Sequence, residues 1–267
     1  MDPEDHSAPQ SRRARQREAS FAEIVATSRQ LLAEDTDLSL RAVARRMGMT
    51  APALYRYVEN YNDLVDLVAF EIDRSVTTQF LAASARYDDD DPAGRLIAAT
   101  MAFRSWAHRK PREFRLVFAN PVADASCIRR EMPASSHSCG LMLGMLVEIW
   151  NKFRSARPDL DDLPPGVREV VLEPRMPIDA SSIPAVDRGV LWPILHAWQS
   201  LYGAVILEVF GHQDPRIISC GAMFVRTLEQ QLAPLGLSHD RDRLAGVIHA
   251  ELASNGDSES LVGRSDV

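Results

Sequence analysis

The chain has 267 residues, 46% hydrophobic and 25% charged, enough for a sizeable core under an ordinary charged surface. That length favours one small and one larger domain over a single unit. The net charge of −7 argues weakly against nucleic-acid binding by the chain as a whole, the three scattered cysteines exclude a disulfide framework or zinc pattern, and no apolar run approaches the roughly 18 residues of a membrane span.

The opening stretch MDPEDHSAPQSRRARQR lacks an apolar core, so no secretory signal is expected. The chain reads as cytoplasmic, with Cys127, Cys139 and Cys220 as reduced thiols. Residues 1–16 are polar and are expected to form a disordered basic arm. Arg12, Arg13, Arg15 and Arg17 crowd this end and Arg41, Arg45, Arg46 and Arg56 follow, whereas the acidic runs Asp88 to Asp91 and Asp159 to Asp162 lie elsewhere. The result is a basic head on an acidic body; a solvated tail explains the first four arginines equally well.

From Glu18 to Glu34, Phe21, Ile24, Val25, Leu31 and Leu32 recur at helical spacing, with Ser28 as a small exception. Asp35-Thr36-Asp37 ends that helix. Ser39 stands where an N-cap belongs, ahead of Leu40, Val43, Ala44 and Met47, and Gly48 closes this second helix. Thr50 is the expected cap of a third helix with Pro52 in its first turn, and Asn60 of a fourth carrying Leu64, Leu67, Val68 and Ile72. After the linker run DDDDP, Gly94 to Lys110 and a short stretch from Pro111 to Asn120-Pro121 read as helices. Residues 122–135 are ambiguous. Ser138 to Ser155 is strongly helical, and 157–188, rich in proline, reads as a long loop, either functional or disordered. Two helices follow, Asp187 to Phe210 and Asp214 to Leu232, and the polar tail past 252 is expected to be mobile. The chain reads as all-α.

The most informative stretch is residues 40–58, LRAVARRMGMTAPALYRYV. Two helices that cross steeply need a small residue where they approach, here Ala44. The tight turn needs Gly48, and Leu54 must be apolar to pin the second helix. The outward positions of that helix are then free to enter a DNA groove. An ordinary helical hairpin produces the same spacing.

With one preceding helix, the ending Leu54-Tyr55-Arg56-Tyr57-Val58 and a capped fourth helix, residues 17–72 resemble the tetracycline-repressor family. The resemblance implies a three-helix helix-turn-helix DNA-binding domain over 17–72 and a larger helical ligand-binding and dimerisation domain over 73–236. A C-terminal helix and tail, partly disordered, then occupy 237–267. It implies that Tyr55 and Tyr57 touch phosphates and that Thr50, Ala51, Pro52 and Ala53 face the groove. Ser39 would touch the backbone and Arg41 a base edge, with Arg56 a further candidate. Tyr61 occupies the place of a frequent phosphate-binding lysine, Tyr57 that of a histidine and Val58 that of a phenylalanine. The missing lysine predicts a salt slope shallower by about 0.9 for each phosphate left without a cation. Residues two apart on a helix do not share a face, so Tyr55 and Tyr57 divide between DNA and core as the alternative. The N-terminal arginines would suit an adjacent minor groove.

The stretch His196-Ala197-Trp198-Gln199-Ser200-Leu201-Tyr202-Gly203 is similar to the Trp-His-Gly C-terminal domain of some members, with Tyr202 in place of the histidine. Phe103, Trp106, Phe114, Phe118, Trp150, Trp192, Trp198 and Tyr202 supply large apolar surface on helices; all but Trp192 are taken as candidate contacts for a small apolar or aromatic effector. A plain core gives the same pattern. His196, Tyr202 and Glu208 are the candidates for polar specificity. The last two long helices are apolar on more than one face, which predicts a homodimer through them.

The resemblance thus implies a ligand-responsive regulator, a repressor in the simplest case, binding palindromic double-stranded DNA as a homodimer. The alternative is control by a protein partner or by thiol oxidation. No Ser/His/Asp frame, metal spacing, phosphate loop or dinucleotide turn is present in the sequence, so neither an enzyme nor a cofactor is expected.

Overall fold

Every regular element in the computed structural model, which describes residues 12–119, 137–154, 157–174 and 180–260, is helical. The first eleven residues of the expected arm, the stop at Asn120-Pro121, Cys127 and residues 261–267 lie outside the described residues.

Helix α1 spans Arg12–Ala33, so the arginines from Arg12 onward belong to a helix and not to a disordered arm. Its inner stripe is Ile24, Leu31 and Leu32, and the Ser28 hydroxyl is buried within it. Ser28 fits because its Oγ donates back to the Ile24 carbonyl at 2.8 Å, which satisfies it locally. Helix α2 (Leu40–Arg46) opens on the Ser39 cap, whose Oγ accepts from the Ala42 amide at 3.2 Å. Gly48 follows with φ +65°, the left-handed turn that glycine tolerates. Helix α3 is short, Ala51–Leu54, and the expected Thr50 side-chain cap is not made. The chain coils on through Tyr57 and Val58, whose amides bond to the Leu54 carbonyl.

Helix α4 (Tyr61–Ser84) begins with a reciprocal box: Asn60 accepts from the Asp63 amide at 3.0 Å, and Asp63 accepts from the Glu59 amide at 2.9 Å. It runs without a break through the expected domain boundary at 72/73. The cause is its apolar stripe, which continues through Ile72, Val76 and Phe80, all fully buried. One rod therefore serves both domains.

Helices α5 (Pro92–Arg109), α6 (Pro111–Phe118) and α7 (Ser138–Phe153) pack beside it. Asp91 caps α5 by accepting from the Gly94 amide at 3.0 Å. Within the expected 157–188 loop, the described residues hold α8 (Pro165–Leu172) and three short 3-10 turns. Helix α9 (Leu191–Val209) carries buried Leu191, Ile194, Ala197, Leu201 and Val205 on one side. With the turn before it, Ala185–Val209 is long and apolar enough to cross a membrane by length and composition, contrary to the sequence expectation. Here its inner side packs on α5 and α7.

The helix expected over 214–232 is two: α10 (Pro215–Cys220) and α11 (Ala222–Leu232). Gly221 breaks it at φ +64°, and a Cβ there would stand 2.8 Å from Leu252 Cδ1. That leucine belongs to α12 (Arg241–Ser260), which extends past the expected end of order at 252. Leu244 and Ile248 of α12 are fully buried.

Candidate nucleic-acid interface

The helix-turn-helix unit divides cleanly by burial. Val43, Ala44, Leu54 and Val58 are inside, as the crossing of two short helices requires. Arg41, Arg45, Thr50, Pro52, Arg56 and Tyr61 are exposed, and Tyr55 is 51% exposed although aromatic. Ser39, Ala51, Ala53 and Tyr57 are half-buried. The two tyrosines therefore differ. Tyr57 packs edge-on against Phe21 of α1, ring centroids 5.6 Å apart, so it is half core. Tyr55 has no such neighbour among the described ring contacts. Arg46 is drawn aside by Glu34, with both guanidinium contacts at 2.6 and 2.9 Å. That hydrogen bonding holds the Glu34 carboxyl below the usual range and the Arg46 guanidinium above its own.

Behind this unit, α6 carries two different faces. Toward α1 it presents Glu113, which accepts from Arg29 Nε at 2.9 Å and Nη2 at 3.1 Å, while Arg29 Nη1 reaches Ser75 of α4 at 3.4 Å. Arg112 beside it pairs with Asp35 in the turn after α1. A groove of 430 Å³ lies along this junction, lined in part by Asp37, Tyr61, Arg112, Arg115 and Phe210.

Toward the core α6 presents Phe114 and Phe118. Phe103, Trp106, Phe114 and Phe118 form one cluster with centroids 5.3–6.3 Å apart. Trp198 joins through Phe103 and Tyr202 through Phe118, and these two rings stack in parallel at 5.8 Å. Phe103, Trp106 and Phe114 are at most 3% exposed and so form the solid back of the cluster. Phe118, Trp198 and Tyr202 are half-buried at its edge. Trp150 is not brought to this cluster. It is buried, with the Arg154 guanidinium 4.6 Å from its ring.

The Tyr202 hydroxyl donates to the Phe118 carbonyl at 2.7 Å, tying α9 to the last turn of α6. Burial, then the nearby Cys139, push its phenol up to about 12. The other two polar candidates point elsewhere. His196 is exposed, and Glu208 is fully buried against Arg104 at 2.7 Å and His108 Nε2 at 2.9 Å. Arg104 also donates at 2.8 Å to the Ile218 carbonyl, which accepts the Gly221 amide at 3.0 Å as well, at the point where the helix breaks. Sequence reasoning missed this network. The available signal was one arginine in the apolar run of α5, four residues before His108 and so on the same face.

A family model described as "Tetracyclin repressor-like, C-terminal domain" matches residues 96–231. The HTH-type transcriptional regulators Rv1816 of Mycobacterium tuberculosis (H37Rv) and Mb1846 of Mycobacterium bovis are each 32% identical to this chain over 202 residues, which is 73% of it and 82% of theirs. This chain belongs to the tetracycline-repressor family. The crystal structure of SCO4313, described as a regulatory protein, shares the fold with a TM-score of 0.55 at 25% identity, covering 85% of this chain and all of that one. A tetracycline-repressor-type regulator has a DNA-binding helix-turn-helix joined to a larger helical domain. Here α4 makes that join, and transcription regulation is the activity of the family.

Proposed function

We propose that this regulator is a homodimeric, operator-binding repressor whose DNA affinity falls when a small apolar or aromatic effector binds. The observation that carries the DNA half is Tyr55. A large ring stays exposed beside Arg41, Thr50, Pro52 and Arg56 while the opposite side of the same unit is fully buried. An aromatic hydroxyl and guanidinium groups on a protruding edge suit a phosphate backbone. Ser39, Ala51, Ala53, Tyr57 and Tyr61 flank them.

Dimerisation through α9–α11 is supported by Trp192, Leu207, Phe210, Ile217 and Met223, large apolar side chains left exposed in one copy. A two-fold pair of such units reads half-sites about 34–36 Å apart, hence a palindromic operator. The effector reading takes support from the half-buried edge of the aromatic cluster at Phe118, Trp198 and Tyr202, with the buried Phe103, Trp106 and Phe114 behind it. Coupling of about 1–3 kcal/mol between the two sites would change DNA affinity 5- to 150-fold.

Selection of bound DNA from a random pool, followed by gel-shift titration, tests the reading. A palindromic consensus that Tyr55→Ala binds poorly is expected. Unchanged affinity after alanine at both Tyr55 and Tyr57 overturns the interface, and a monomer by sedimentation at micromolar concentration overturns the dimer. Compounds that raise the thermal midpoint must also weaken the gel shift to count as effectors.

A further inference from the structure

The α12 helix lies outside the stretch matched by the family's C-terminal domain, yet it is bonded into the fold at both ends of one short turn. Residues 85–91 join α4 to α5. At one end of this turn, Glu251 of α12 accepts from Arg86 Nη2 at 2.5 Å and from the Tyr87 hydroxyl at 2.9 Å, with the glutamate side chain only 7% exposed. At the other end, Arg243 of α12 forks onto both oxygens of Asp91, at 2.7 and 3.0 Å, and is itself braced by Asp240. Between these grips Leu244 and Ile248 are sunk into the core against α5. One residue past Glu251, Leu252 fills the space over Gly221, where α10 and α11 part beside exposed Ile217 and Met223.

We propose that α12 is a clamp on the turn that follows the C-terminal end of α4, fixing the tilt of the DNA-binding domain relative to the dimer face, with Glu251 and Arg243 as positioning residues. This rests on the dimeric operator reading above, since tilt matters only when two domains must fit one duplex. The mechanical reason is leverage. The 24 residues of α4 make a rod of about 36 Å. Tyr61 is at its far end, among the DNA-facing residues. A rotation of about 5° at the clamped end moves Tyr61 by about 3 Å, close to the rise of one base pair, about 3.4 Å. Bidentate, charge-assisted contacts are suited to this task because they fix orientation as well as distance. The α10–α11 break that Leu252 covers lies beside the apolar face offered to the second copy, so one helix references the DNA-reading rod to the dimer axis.

The test uses the full chain and an operator selected with it. A series of duplexes is made in which the two half-sites are moved apart or together by single base pairs. The wild-type protein is expected to prefer one spacing over its neighbours by about tenfold, equivalent to about 1.4 kcal/mol. Glu251→Gln and Arg243→Gln are each expected to flatten that preference to about threefold or less while sedimenting as the wild-type dimer. Arg243 is half exposed, so its variant carries the test if Glu251→Gln folds poorly. Tyr87→Phe should give a smaller flattening in the same direction. Variants that melt earlier but keep the wild-type spacing profile overturn the clamp and leave the operator reading standing. A wild-type dimer that binds no operator overturns both.

Discussion

Glu113 and Arg29, 84 residues apart in sequence, meet through both carboxylate oxygens, and this pair joins the DNA-binding helices to the regulatory ones. Glu113 is buried and Arg29 about one-third exposed. On the other side of α6, Phe118 is held through its carbonyl by Tyr202. A displacement at the aromatic edge therefore acts on a helix whose opposite face grips α1.

Replacing Glu113 by Gln keeps the shape but removes the charge that matches the guanidinium fork. The loss is expected to be about 1–3 kcal/mol of folding stability, below the range for a fully buried pair because Arg29 keeps some solvent. Urea denaturation checks it; a midpoint equal to wild type would show that the pair adds nothing.

Tyr57→Ala and Tyr55→Ala should separate stability from DNA affinity. The first removes a half-buried ring and its edge contact with Phe21, and should cost about 1–3 kcal/mol. The second removes a ring in solvent and should leave stability within about 0.5 kcal/mol while weakening operator binding. Thermal melts paired with fluorescence anisotropy decide it, and a Tyr55→Ala protein with full affinity would exclude this tyrosine from the interface. On the same segment, Arg56→Ala should reduce the slope of log affinity against log salt by about 0.9 if the guanidinium meets one phosphate.

Arg104→Met leaves the Glu208 carboxylate buried beside a single histidine. The expected cost is about 3–5 kcal/mol, the range for a buried charge that loses its partner. Glu208→Gln in the same chain should recover part of that loss, since no bare charge is then buried. A double-mutant cycle by denaturant titration measures the coupling, and strict additivity would show that the two side chains act independently.

Tyr202 gives an alkaline signature. Its phenol is raised to about 12 by burial, against about 10 for an unfolded tyrosine. A raised folded-state value means that the stabilisation is fully present below about pH 10 and is lost as pH climbs toward 12. The denaturation midpoint should therefore fall over that window, and Tyr202→Phe should fall less steeply. Tyr87, raised to about 12 by burial and by its bond to Glu251, contributes the same trend and remains in the variant as an internal reference. Equal slopes for wild type and Tyr202→Phe would contradict the assignment.

Local signals account for what was legible beforehand. The Ser39 and Asn60 caps, the left-handed turn at Gly48 and the apolar positions Val43, Ala44 and Leu54 each act within a few residues, so periodicity and capping reveal them. Where expectation and structure part, a distant group intervenes. At the Gly221 break, Leu252 packs where a Cβ would stand. The turns and short helix described between 157 and 188 are held by Arg157 reaching Asp187 at 2.7 Å and by Val171 and Ile183 entering the core. Trp150 matched the aromatic pattern but faces a different part of the core from the aromatic cluster around Phe103. Helical spacing gives the face of one helix and not the neighbour it meets.

The one-dimensional pattern by itself determined an all-helical chain with a DNA-reading unit near its start, because helix periods, caps and turn glycines are written in adjacent residues. Only the folded arrangement decided that one uninterrupted helix joins the two parts, that Tyr57 is half core while Tyr55 is free, and that Glu113, Glu208 and Glu251 each grip an arginine. The three ion pairs join residues 84 to 165 positions apart, and charges so far apart carry no record of one another until packing removes the water between them.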